Sequence, residues 1–127
     1  MSKMFDFYLL LSAIILTSID FVYLRLFKSY FEKQINSVQG SPMKINIFGV
    51  IFCYIFLIIG LNYFIIKPKK DVYDAFLFGL VIYAVYEGTN YALLKNWSLL
   101  TVFMDTLWGG ILFAVTTLIV NRIRKMF

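Results

Sequence analysis

The sequence predicts an all-α fold: a polytopic membrane protein built as a four-transmembrane-helix, up-down-up-down bundle. Three observations carry that prediction. Four apolar runs of 20 residues or more follow one another along the chain, and a helix needs about 20 such residues to cross a hydrocarbon core of about 30 Å. Charged residues are 15% of the 127 positions and hydrophobic ones 61%, against roughly 25% and roughly 45–50% in soluble domains. Two of the three connections are only a few residues long, which turns each run back beside its neighbour.

The first run, residues 5–24, ends at Arg25 and Lys28. Lys3 precedes it, as in a secretory leader, but the run is long and no small-residue cleavage site follows, so a retained helix is expected. Residues 26–44 form the longest polar connection. In it Phe27, Tyr30, Phe31 and Ile35 recur at helical spacing opposite Lys28, Glu32 and Lys33. Two readings of this stretch stand open: an amphipathic helix lying among the headgroups, or an extension of the first helix beyond the bilayer. The second run, residues 45–66, has no formal charge, and Pro68 in the basic 67–71 turn stops it. The third and fourth runs, 72–94 and 99–120, are joined through Asn96, Trp97 and Ser98. Trp97 stands there at the height of an interfacial aromatic anchor. A short basic tail, 121–127, completes a single membrane domain spanning 1–127.

Four crossings put both termini and the 67–71 turn on one side. That side carries Lys3, Lys67, Lys69, Lys70, Arg122, Arg124 and Lys125, against Arg25, Lys28, Lys33, Lys44 and Lys95 on the other. Positive charge favours the cytoplasm, so both termini are expected there. The net charge of +5 sits in links and tail, suited to anionic headgroups. No folded basic domain is present to bind nucleic acid. With no histidine, histidine-ligated metals and His-based triads are excluded; with Cys53 alone, so is an internal disulfide. Cys53 is expected to pack as a small apolar residue. No cofactor, metal set or catalytic residue is predicted.

The informative residues are acids inside apolar runs, where an ionisable group costs roughly 2.5–3.5 kcal/mol to insert. Asp20 lies just before the end of the first run, Glu87 about two turns before the end of the third, and Asp105 about two turns into the fourth. The topology puts all three at one depth below the face opposite the termini. We expect them to share a polar pocket between helices, although separate, locally solvated acids are the plainer reading. Three ionised acids would repel in a low dielectric, so the layer is expected to hold at least one proton near neutral pH. Gly79, Tyr83, Tyr86, Glu87 and Asn90 fall on one stripe of the third helix, and Asp105, Trp108, Gly109, Leu112 and Thr116 on one stripe of the fourth. Ser12, Leu16, Asp20 and Tyr23 form the matching face of the first, and Asn46, Gly49 and Cys53 lie at the right depth on the second. Candidate ion or proton ligands are therefore Asp20, Glu87, Asn90 and Asp105, with Tyr83, Tyr86, Trp108 and Gly109 as wall. Ala75/Gly79, Gly88/Ala92 and Gly110/Ala114 are small-residue pairs suited to close helix packing.

The stretch from Gly79 to Gly109 resembles an uncharacterised family of small four-helix integral membrane proteins of bacteria and large DNA viruses. The resemblance rests on Tyr86-Glu87-Gly88-Thr89-Asn90, on Ala92-Leu93-Leu94-Lys95-Asn96-Trp97 and on Asp105-Thr106-Leu107-Trp108-Gly109, with Asp20 as a further match. Glu87 stands where that pattern has Asp, and Leu93 where it has Thr. The resemblance implies a membrane location and four helices, and no particular activity.

Three functions fit this sequence. One is a small oligomeric unit passing protons, cations or small solutes through the carboxylate layer. Another is a non-transporting module that binds a lipid or a partner protein, with the acids as a structural latch. The third and weakest is an intramembrane lipid-modifying enzyme, since acids and an amide converge without any nucleophile or phosphate-loop motif. The bilayer is the one partner all three share, and self-association is expected because so small a subunit buries little interior.

Overall fold

A computed structural model describes residues 2–126, with side chains from Asp6 onward. Among these residues the chain is helices and turns without strands. The helices are α1 (Ser2–Leu26), α2 (Lys28–Gln39), α3 (Ile47–Leu61), α4 (Val72–Leu93) and α5 (Leu99–Lys125). α3 runs on through a π-helical turn, Asn62–Ile66.

The helix starts follow from local chemistry. The Asn46 side chain accepts from the Phe48 and Gly49 amides, Asp71 from that of Asp74, and Ser98 from that of Leu100. Each cap satisfies amides that a first helical turn leaves without partners. α2 stops at Gly40, whose left-handed φ of 72° lets its N–H close on the Asn36 carbonyl. Asn96, at φ 64°, reverses the chain between α4 and α5.

Residues 26–44 contain a separate helix. α1 and α2 are nearly continuous in hydrogen bonding, with Phe27 donating to Tyr23 and Phe31 to Phe27, but Phe27 departs from helical geometry at φ −106° and ψ 20°. α2 turns its Tyr30, Phe31, Gln34 and Ile35 side inward. At the other end, 121–125 is no loose tail but the last part of α5. Arg124 there donates to the Ile66 carbonyl at 2.9 Å and lies over the Tyr8 ring.

α5 is the central helix, packing on α4, α1 and the π-helical turn. Its contacts with α4 run in opposite order along the two helices, with Gly79 against Gly109 and Phe76 against Gly110. A Cβ on Gly79 would overlap the Gly109 carbonyl, and one on Gly109 would overlap the Tyr83 ring. Glycine here permits a backbone approach that no other residue allows. The expected Gly88/Ala92 pair does no such packing: both are exposed, and Gly88 has open space around it. The core consists of Leu16, Leu61, Ile65, Ile66, Ala75, Leu112, Phe113 and Val120.

Among the described residues, three segments are long and apolar enough to cross a membrane: Asp6–Leu26, Ile47–Ile66 and Leu99–Lys125. α4 is comparable in length at 22 residues, but Asp74, Glu87 and Asn90 lower its hydropathy.

Candidate functional site

Asp20, Glu87 and Asp105 are 6%, 1% and 7% exposed, and a series of hydrogen bonds, one ring stack and one acid–acid approach links them. Asp20 on α1 accepts from the Tyr54 hydroxyl of α3 and, at 2.8 Å, from the Trp108 indole of α5. The Trp108 ring stacks on Tyr23 with centroids 4.3 Å apart and planes 4° from parallel. The Tyr23 hydroxyl in turn points at Asp105, 3.4 Å away. Asp105 neighbours Glu87 across the packed α4–α5 pair, and Glu87 accepts from the Trp97 indole at 2.8 Å. The series therefore passes from α3 through α1 and α5 to α4 and its link.

Two features define what this arrangement can do. The donors to the acids are phenols and indoles, which stabilise a carboxylate without cancelling its charge. And two carboxylates offer only acceptors, so a direct hydrogen bond between Glu87 and Asp105 would need a proton on one of them. Among the described residues no three Asp, Glu or Cys side chains converge as metal ligands do; the acids are strung out, not gathered round a point.

Of the wall residues, Trp108 bonds Asp20, and Gly109 leaves the space into which the Tyr83 ring fits. Tyr86 and Asn90 stand apart. Tyr86 is 57% exposed, and neither residue belongs to the series of contacts that joins the acids. The second-helix residues expected to meet the layer do not. Asn46 is a cap, Gly49 has open space around it and Cys53 is exposed. The residue that reaches Asp20 is the neighbouring Tyr54, because one step along a helix turns a side chain by about 100°.

Trp97 also departs from expectation. It is 8% exposed and directed inward onto Glu87, not outward as an interfacial anchor. Above it lies a contact that sequence alone did not suggest. The Gln34 amide, 7% exposed, donates to the Asn96 carbonyl at 3.0 Å and accepts from the Ser98 amide at 3.1 Å and the Thr101 hydroxyl at 2.7 Å. Tyr30 pairs with the same hydroxyl, and Asn96 donates to the Ser37 carbonyl. α2 is thus clasped over the end of the bundle that holds the acids. The one available signal was Gln34 on the same helical side as Tyr30, Phe31 and Ile35.

Helices apolar enough to span a bilayer, with acids turned inward among them, define a helical membrane protein. The chain belongs to the family described as predicted membrane protein (DUF2177), whose model matches residues 5–121. No curated protein and no solved structure matches it.

Proposed function

We propose that the protein is a four-span, up-down-up-down membrane unit that takes up and releases protons at the Glu87–Asp105 pair, as a small proton permeation unit or proton-coupled carrier. The observation that carries this reading is the burial of two neighbouring acids, Glu87 and Asp105. A latch could be built from amides and hydroxyls, which cost less to insert than acids. A carboxyl pair holding one proton between them brings something a neutral latch lacks, an exchangeable proton in the membrane interior. The strung-out acids favour a proton over a metal cation as the cargo.

α4 supports the fourth span. Its 22 residues give ~33 Å at ~1.5 Å per residue, and Glu87 faces α5 in place of lipid. The charge count favours cytoplasmic termini.

The test is proton flux in proteoliposomes containing a pH dye, under an imposed potential, together with infrared spectroscopy of the protein. Wild type should give flux and a protonated-carboxyl C=O band. Both should be lost in Glu87→Gln and Asp105→Asn. Absence of flux from folded wild type would sink the proposal.

A second reading, a lipid-binding module, draws support from a groove of about 530 Å³ between α1 and α5. It is lined by Ile19, Val22, Leu26, Met104, Leu107 and the Tyr23 and Trp108 rings, among other apolar side chains. This reading predicts a co-purifying lipid and no flux.

A further inference from the structure

The carboxylates are not the only polar groups buried among the helices. Toward the termini Ser12, Asn62, Thr116 and Thr117 are each 0% exposed. The Asn62 amide nitrogen donates to the Ser12 hydroxyl at 2.6 Å and to the Ile58 carbonyl at 2.8 Å. The carbonyl can only accept, which fixes the amide's orientation and leaves Asn62 Oδ1 buried without a donor. The Thr116 and Thr117 hydroxyls are buried without partners as well. Such orphans are uncommon in native interiors, and an ordered water is the usual answer.

These groups lie on elements that pack against one another, α1, α5 and the π-helical turn. Thr116 and Thr117 lie on the side of α5 that carries Leu112, Phe113 and Val120 into the core. The same core takes in Leu16, one turn from Ser12, and Leu61, next to Asn62. From the Arg124–Ile66 contact, Asn62 lies back by ~6 Å of helix and the two threonines by ~10–12 Å. A bridging water can join groups at such an offset. A cation fits less well, since the Arg124 guanidinium lies at the same end of the bundle, on the Ile66 carbonyl.

Between this cluster and the acids lies an apolar layer. On α1, Ser12, Leu16 and Asp20 follow at four-residue steps; on α5, Asp105 is followed by Leu112 and Phe113, then by Thr116 and Thr117. Leu16, Leu112 and Phe113 are each 0% exposed. Both helices therefore read polar, apolar, polar along the bundle.

We propose that Ser12, Asn62, Thr116 and Thr117 bind an ordered water that serves as a second proton station on the side of the termini, separated from the carboxylates by a Leu16–Leu112–Phe113 septum. The water site stands on the orphaned oxygens; its place in a proton route rests on the proton-exchange reading above. The test uses Thr116→Val and Thr117→Val, which keep side-chain shape, with Thr→Ser controls that keep the hydroxyl. A water-bonded hydroxyl predicts a lower thermal midpoint in each valine variant and little change in serine. A raised midpoint in valine, as when a true orphan is removed, would overturn the water site whatever Glu87 and Asp105 do. In proteoliposomes the valine pair should cut proton flux at least tenfold while the protonated-carboxyl band persists. Flux unchanged from wild type would overturn the station's role. Absence of flux from wild type would instead defeat the proton-exchange reading and the route with it, leaving the midpoints to decide the water site.

Discussion

Glu87 is the residue on which the candidate site turns, since it accepts from Trp97 and neighbours Asp105. Glutamine copies the protonated acid closely, with Oε1 accepting from Trp97 and Nε2 donating to Asp105. Glu87→Gln should therefore leave the thermal midpoint in detergent near wild type while abolishing proton exchange. Glu87→Ala should cost about 1–3 kcal/mol for the stranded indole and carboxyl, with a further loss for the cavity, read by thermal or denaturant unfolding. The acids were legible in the sequence because a charge in an apolar run stands out. Tyr54 was not, since aromatics abound in such runs and one position separates it from the residue expected. Gln34 was invisible for the opposite reason: a polar side chain in a polar stretch has no contrast. Trp97 was found but misdirected, because its inward turn depends on the reversal at Asn96, which no periodicity encodes.

At the scale of elements, α2 and the α4–α5 crossing make separate predictions. Gln34→Leu removes three bonds between α2 and the 96–101 segment. Amide exchange in 30–38 should then accelerate on the order of tenfold or more, with exchange in α5 near Gly109 unchanged. Equal exchange in wild type and variant would mean that α2 is held by its aromatic side alone. The glycines give a matched pair. Gly79→Ala should destabilise by about 1–3 kcal/mol, because the added methyl meets the Gly109 carbonyl. Gly88→Ala, into open space, should instead gain about 0.5–1 kcal/mol from the helix interior. Sequence spacing offered both glycines as packing sites and had no means to rank them, since spacing alone does not say which side of α4 meets α5. Element positions were far easier to read than element partners: long apolar runs announce themselves, whereas the α2 clasp and the continuation of α5 to Lys125 depend on tertiary contacts.

For the molecule as a whole, the outward side of α3 is the natural place to look for self-association. Ile47, Phe48, Ile51, Phe52, Ile55, Phe56 and Ile59 are all exposed there, and so is Cys53. If copies pair through this side, as we propose, mild oxidation in native membranes should give a disulfide-linked dimer that disappears in Cys53→Ser. Monomer alone, in membranes and in native mass measurements, would count against pairing through α3.

The central position of α5 also has a consequence for how the protein is made. α5 supplies Trp108 to Asp20 and Asp105 to Glu87, yet the ribosome adds it after the other helices. Until it enters the bilayer, Asp20 has only Tyr54 and Glu87 only Trp97, and each lacks its neighbour on α5. Insertion is therefore expected to stay provisional until α5 slots between the helices made before it. A ribosome stalled within α5 should leave a chain that membrane proteases recognise, whereas synthesis past α5 should complete the surroundings of both acids.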